Sequence, residues 1–318
     1  MLNFIYWPIS AILWFWHKVV SFVFDPDSGI SWVLAIVLLT VTIRVILVRP
    51  TMKQMRSMRK MQEMQPRIQE LKAKYKNDQQ KMMEETRKLQ KEMGVNPIAG
   101  CLPILVQMPV FIGLFHVLRS FNRTGSGVGQ LGLSIEQNRL TPNYIFSAED
   151  VQSFLDARLF GVPLSAYIWM PEDMYQAFQP VDFTWITITY VAAPLIAIIV
   201  VALHLNARMS IDRQKARIAS GKQKPAANDQ MQMQMDMMNK MMMWFLPLTI
   251  LLTGVLWHIG LLFYMVSNNV WTFFQQRFIF AKMDAEEEAE LQAKREAKRA
   301  TAPKPGQRPN RNKGKGAK

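Results

Sequence analysis

Arg44 is the residue whose setting asks for chemistry. It stands within ISWVLAIVLLTVTIRVILVRP (30–50), a run that is almost wholly apolar up to residue 48. About 20 such residues let one helix cross the hydrocarbon core of a bilayer. A cation at that depth costs at least ~2.5 kcal/mol unless water, a partner or snorkelling relieves it. Two readings fit. Arg49 lies only ~7 Å farther along a helix, so the Arg44 side chain can snorkel nearly to the interface. Alternatively, Arg44 is a cation lining a water-filled cavity, where it attracts anionic groups. Other chemistry is poorly provided for. His116, His204 and His258 fall on different apolar segments without metal-ligand spacing, which favours structural roles. No His/Glu metal motif, G-x-S-x-G nucleophile or paired intramembrane carboxylate points to an enzyme. No Asp or Glu lies inside an apolar run, as cation-coupled transport usually requires, and no internal repeat is visible. An anion transporter or channel using Arg44 is the surviving alternative.

The elements that must position Arg44 are apolar helices. Half of the 318 residues are hydrophobic, including 23 Met and 9 Trp, and the net charge of +14 is concentrated between the apolar runs and in the tail. That is the pattern of a membrane protein with cationic loops on one side. Five spans are expected, at 30–49, 97–118, 183–205, 241–257 and 259–281, with a turn near Trp257–Gly260 dividing the last two. Residues 1–29 lack a basic n-region and a small-residue cleavage site, so the start is not a typical secretory signal. Their rings, Tyr6, Trp7, Trp14 and Trp16, suit the headgroup layer, and an amphipathic helix lying on the membrane is expected; a sixth span is the alternative. A single cysteine, Cys101, excludes an intramolecular disulfide and is read as a buried thiol.

The segments between the spans differ in charge. Residues 50–96 are rich in Lys, Arg, Gln, Met and Glu, and predict two helices, 51–64 and 67–92, folded as an antiparallel hairpin. Met52, Met55, Met58, Met61 and Met64 recur every three residues and wind around a helix. They either pack on a partner helix or form an adaptable surface for variable apolar clients. Residues 119–182 hold few basic residues, and two short apolar pieces, 154–168 and 174–178, are expected as surface helices. Segment 206–240 is basic and then Met-rich (MQMQMDMMNKMMM). Residues 282–318 are expected to be a tail that is first acidic and helix-prone, then basic and disordered. Five spans put all three basic segments on one face, which the positive-inside rule assigns to the cytosol, with the N-terminus outside.

Several stretches resemble the YidC family of membrane protein insertases and its mitochondrial and thylakoid relatives. They are Arg44 with the charged helical pair after it; Asn96-Pro-Ile-Ala-Gly-Cys-Leu-Pro with Gln107-Met-Pro109; and Gly260-Leu-Leu-Phe-Tyr264 with Ser267-Asn268 and Gln275-Gln276. The match covers roughly 30–118 and 183–281 and is nearest the short Gram-positive, especially actinobacterial, forms. His258 stands where the family often has proline, and Met265 where an aromatic is usual. The resemblance implies an all-α integral membrane protein of the bacterial plasma membrane. It would be a five-helix transmembrane bundle with a cytosolic helical hairpin, an N-terminal interfacial helix and a hydrophilic groove open to cytosol and lipid but closed to the outside. Arg44, Thr42, Gln107, Tyr264, Ser267 and Asn268 would line that groove. Arg44 would draw in the polar tail of a nascent membrane protein while its apolar segment passes into lipid, with no cofactor, metal or nucleotide. Met55, Met58 and Arg59 would meet clients at the cytosolic face. Lys294, Arg295, Lys298 and Arg299 would meet ribosomal RNA, with anionic lipid as the competing partner. The other implied partners are the bilayer and the Sec translocon, and DNA is not among them.

Overall fold

The computed structural model describes residues 2–76, 78–94, 102–125, 131–178, 180–223, 225 and 229–301. Cys101, the expected start of the second span at 97–101, and the tail beyond Thr301 lie outside the described residues. The chain divides after Phe273 into two units. The first holds nearly every element, and the second holds the outer part of the last helix.

Helix α2 (Gly29–Lys74) starts where Ser28 Oγ accepts the Ser31 amide, satisfying one of the free donors of the first turn. It does not end at Pro50. Both Pro50 and Pro66 lie inside one helix of 46 residues. Each proline removes one amide donor, but the Lys-, Gln-, Met- and Glu-rich flanks favour helix on either side. The helix ends at Lys74, and α3 (Gln79–Glu92) follows, its Lys81 amide donating to Asp78 Oδ1 at 2.9 Å. The expected helices 51–64 and 67–92 are therefore corrected to a continuous α2 followed by a shorter α3. Their contact buries Met64 and Leu89, with Met61, Ile68 and Leu71 around them.

Helix α1 (Asn3–Val20) packs against α2 and α4 (Leu102–Arg119). Ile9 and Leu13 are buried, while Phe4, Phe15 and Val19 are exposed. Gly113 permits the approach to α4: a Cβ there would lie 2.3 Å from Ile9 Cδ1. The expected interfacial helix thus has two apolar faces, one seated on α2 and α4.

The segment after α4 forms a small folded cap. It contains α5 (Ile135–Leu140), α6 (Ala148–Asp156) and an antiparallel hairpin of β1 (Arg158–Leu159) and β2 (Val162–Pro163). The surface helix expected over 154–168 is not there. Phe160 and Gly161 turn the chain with φ of 52° and 80°, a left-handed pair suited to a two-residue hairpin and foreign to a helix. Phe154, Leu155, Leu159, Val162 and Leu164 are buried, not surface, residues. The second expected piece, 174–178, overlaps a 3-10 helix, Glu172–Ala177, whose Met174, Tyr175 and Ala177 are buried rather than on the surface. Trp32 of α2 anchors the cap, its ring centroid 4.9 Å from that of Phe154 and 5.8 Å from those of Phe121 and Phe146.

Helix α7 (Trp185–Ala219) begins in a capping box between Thr184 and Thr187 and runs past the expected span end at 205. It packs against α9 (Leu246–Thr253), which follows α8 (Asp229–Lys240) and a π-helical turn, Met241–Phe245. Trp257 and His258 separate α9 from α10 (Ile259–Thr301). The cap supplies what α10 lacks at its start: the amides of Ile259 and Gly260 donate to the carbonyls of Ala166 and Leu164, at 3.0 and 2.9 Å. The acidic, helix-prone start of the tail is helical, and the helix runs on through basic residues to Thr301, because Ala, Glu, Lys and Arg are strong helix formers. Among the described residues, three stretches are long and apolar enough to cross a membrane: Gly29–Met61, Trp185–Ala219 and Gln232–Leu256. The other two expected spans coincide with α4 and the start of α10.

Candidate functional site: a cavity around Arg44

A cavity of about 600 Å³ lies among α2, α4, α9 and α10. Helical spacing selects its walls. From α2 it takes Arg44, Leu47, Thr51 and Gln54, at i, i+3, i+7 and i+10, which share one face. From α10 it takes Met265, Asn268 and Thr272, again at i, i+3 and i+7. Helix α4 contributes Gln107, Met108 and Phe111, and Leu246 and Trp257 complete the lining.

The guanidinium of Arg44 crosses to α10, where Asn268 Oδ1 accepts from both Nε, at 2.9 Å, and Nη2. No ion pair found among the described residues involves Arg44. Hydrogen bonds to a charged group contribute about 1.5–3 kcal/mol each. Two of them are comparable with the ~2.5–3.5 kcal/mol cost of an arginine at a bilayer's centre on insertion scales. Asn268 therefore stabilises the cation without neutralising it, and Nη1 takes no part in those bonds.

Gln107 and Tyr264 form a second polar pair, Gln107 Nε2 donating to the Tyr264 hydroxyl. Tyr264 itself is buried, at 1% exposure, so its ring backs the site while Gln107 reaches the cavity. Of the six groove residues expected from sequence, Arg44, Gln107 and Asn268 line the cavity and Tyr264 supports it. Thr42 and Ser267 do not line it. The Thr42 hydroxyl donates to the Leu38 carbonyl and accepts from Trp16 Nε1 at 2.9 Å, so it faces α1. Ser267 donates to the Phe263 carbonyl within its own helix. Sequence reasoning missed Gln54, only 5% exposed, because Pro50 was read as the end of the helix that carries it.

The expected cytosolic contacts lie elsewhere. Met58 is exposed and Met55 half-buried on α2, while Arg59 pairs with Glu63 at 3.3 Å. Lys294, Arg295 and Arg299 are exposed on α10, and the Lys298 side chain lies outside the described residues. The three histidines of the expected spans and their ends have structural surroundings. His116 stacks on Tyr6 and bonds the Tyr144 hydroxyl at 2.7 Å; His204 Nδ1 donates to the Met243 carbonyl; His258 is enclosed between Phe115 and Tyr167.

Comparison with known proteins matches residues 23–287 to the 60Kd inner membrane protein family. The membrane protein insertase YidC of Mycobacterium tuberculosis is 43% identical over 311 residues, 98% of this chain and 81% of its own length. That of Mycolicibacterium paratuberculosis is 41% identical, covering 99% and 86%. That of Streptomyces avermitilis is 31% identical, covering 88% and 58%. With a family match over most of its length and relatives of this similarity, the chain belongs to the YidC family of membrane protein insertases.

Proposed function

We propose that this protein is a membrane protein insertase and folding chaperone that works through the Arg44 cavity. The polar tail of a nascent membrane protein enters, its carboxylates drawn to the guanidinium. Its apolar segment then passes into lipid, driven by its own hydrophobic transfer and helped by the membrane potential. The observation that carries this reading is the neutral partnership of Arg44 with Asn268, which leaves a full positive charge for an arriving acidic group. Nothing in such a transfer needs nucleotide hydrolysis or a metal. Five spans, with residues 50–96, 206–240 and 282–318 on the cytosolic side, are the arrangement that the distribution of Lys and Arg supports. The α2–α3 pair then forms the cytosolic hairpin, and the basic residues from Lys294 onward face the ribosome.

The test is insertion of a small, weakly hydrophobic client with an acidic tail into liposomes containing the full chain. Protease-protected client is expected to fall at least tenfold with Arg44→Ala, the loss of about 1.4 kcal/mol of attraction, and to be largely retained with Arg44→Lys. Equal insertion by all three proteins overturns the cavity mechanism; no insertion by folded wild type overturns the insertase reading.

A further inference from the structure

The methionine-rich stretch before α9 has no part in the Arg44 cavity. In α8, Asp229, Gln232, Met233, Asp236, Met237 and Lys240 follow i, i+3, i+4, i+7, i+8 and i+11. They form one helix face bordering a concavity of about 540 Å³. Met233 and Met237 are 68% and 67% exposed. Burying a methionine side chain stabilises by about 1.5–3 kcal/mol, so this face gains from an occupant.

Charge indicates which occupant. The face carries two carboxylates against one ammonium, Lys240. An anionic cytoplasmic leaflet attracts basic helices and gives no attraction to this one. A segment about to enter the membrane is complementary to it, being an apolar run with Lys or Arg at its cytosolic end. Unbranched thioether side chains adapt to apolar partners of differing shape, as clients of varied sequence require. The surface also leads somewhere. Met241, Met242, Trp244 and Phe245 continue it through the π-helical turn, and Leu248, Leu251 and Leu252 are exposed on α9. These residues lie on Gln232–Leu256, one of the stretches apolar enough to cross a membrane.

We infer that the Met233–Met237 face of α8 is a docking surface for the apolar, Lys- or Arg-flanked segment of a nascent membrane protein. This rests on the insertase reading and adds a second contact to it: the client's tail meets Arg44 while its apolar segment is held on α8. Asp229 and Asp236 engage the basic flank.

The experiment places a benzophenone photocross-linker at Met237 of the full chain in neutral phosphatidylcholine liposomes. The probe is a synthetic peptide of about 20 leucines and alanines ending in two lysines, beside a twin ending in two glutamates. Cross-linking several-fold stronger to the lysine peptide, reduced by Met233→Gln and equalised between the twins by Asp236→Asn, supports the proposal. Equal cross-linking of both peptides, or cross-linking to lipid alone, overturns it. Insertion of the acidic-tailed client is measured in the same liposomes. No peptide cross-link while that insertion proceeds overturns the docking surface alone; failure of both overturns the insertase reading with it.

Discussion

At the scale of single residues, the function proposed here depends on Arg44 staying charged without being neutralised. Asn268 is the residue that arranges this, and its two substitutions separate holding the cation from quenching it. Asn268→Leu removes both hydrogen bonds, at about 1.5–3 kcal/mol each, and is expected to reduce stability and client insertion together. Asn268→Asp gives Arg44 a carboxylate partner; thermal stability is expected to hold or rise while insertion of an acidic-tailed client falls. Unchanged insertion by Asn268→Asp sinks the role given to the free charge. Arg44, Gln107 and Asn268 were legible in the sequence because each is a polar exception in an apolar run. Thr42 and Ser267 are polar exceptions too, but helix phase takes them away from the cavity. Residues two apart sit about 200° around a helix, so Thr42 faces α1 and Trp16 when Arg44 faces α10. Thr51 and Gln54 have the right phase and were hidden by Pro50.

At the scale of elements, the C-terminal half of α1 is tied to α6 by a polar hub, in addition to its apolar seat on α2 and α4. Asp150 accepts from Lys18 Nζ at 2.7 Å, from Trp14 Nε1 at 3.2 Å and from the Ser147 amide at 3.1 Å. Burial pushes the Asp150 carboxyl up, but the Lys18 ammonium and the Ser147 amide outweigh it and hold the carboxyl below the ordinary aspartate value of 3.8. A depressed native value contributes stability that is present above the ordinary value and lost as pH falls through the native one. The contribution of the Asp150 contacts is therefore expected to be insensitive to pH in the neutral range and to be lost only in strong acid. Lys18 is half exposed, so the effect is modest. Protease sensitivity of α1 against pH checks this as the difference between wild type and Asp150→Asn, in which the buried His17 of the same helix cancels; a wild-type advantage that disappears between pH 5 and 7 contradicts it. The hub was invisible in the sequence, since Lys18 and Asp150 are 132 residues apart and neither stands out locally. Composition made the helices legible but not their ends. Helix propensity carried α2 across two prolines and the last helix out to Thr301, while the left-handed pair Phe160–Gly161 broke an apolar run that looked helical.

At the scale of the whole molecule, the expected orientation places the cap outside the cell and α8 inside it. Single cysteines at Phe160 and at Met237, in a chain with Cys101→Ser, test it with a membrane-impermeant maleimide on intact cells. Both positions are exposed. Position 160 is expected to react at once and position 237 only after permeabilisation; the reverse order, or reaction of both at once, refutes the topology. The fixed positive charge in the cavity has one more consequence. A groove closed to the outside at rest still thins the barrier to ions while a peptide tail passes, which endangers the ion gradients of the membrane that holds it. A cation without a carboxylate partner repels other cations, as arginines do in water-selective pores, so Arg44 is expected to hold sodium and protons out while the cavity stays open to acidic chains. Liposomes carrying Arg44→Ala should then lose a proton gradient faster than those carrying wild type, and equal leak rates would remove this role. On this view the residue that attracts the client also keeps the membrane electrically tight during its passage.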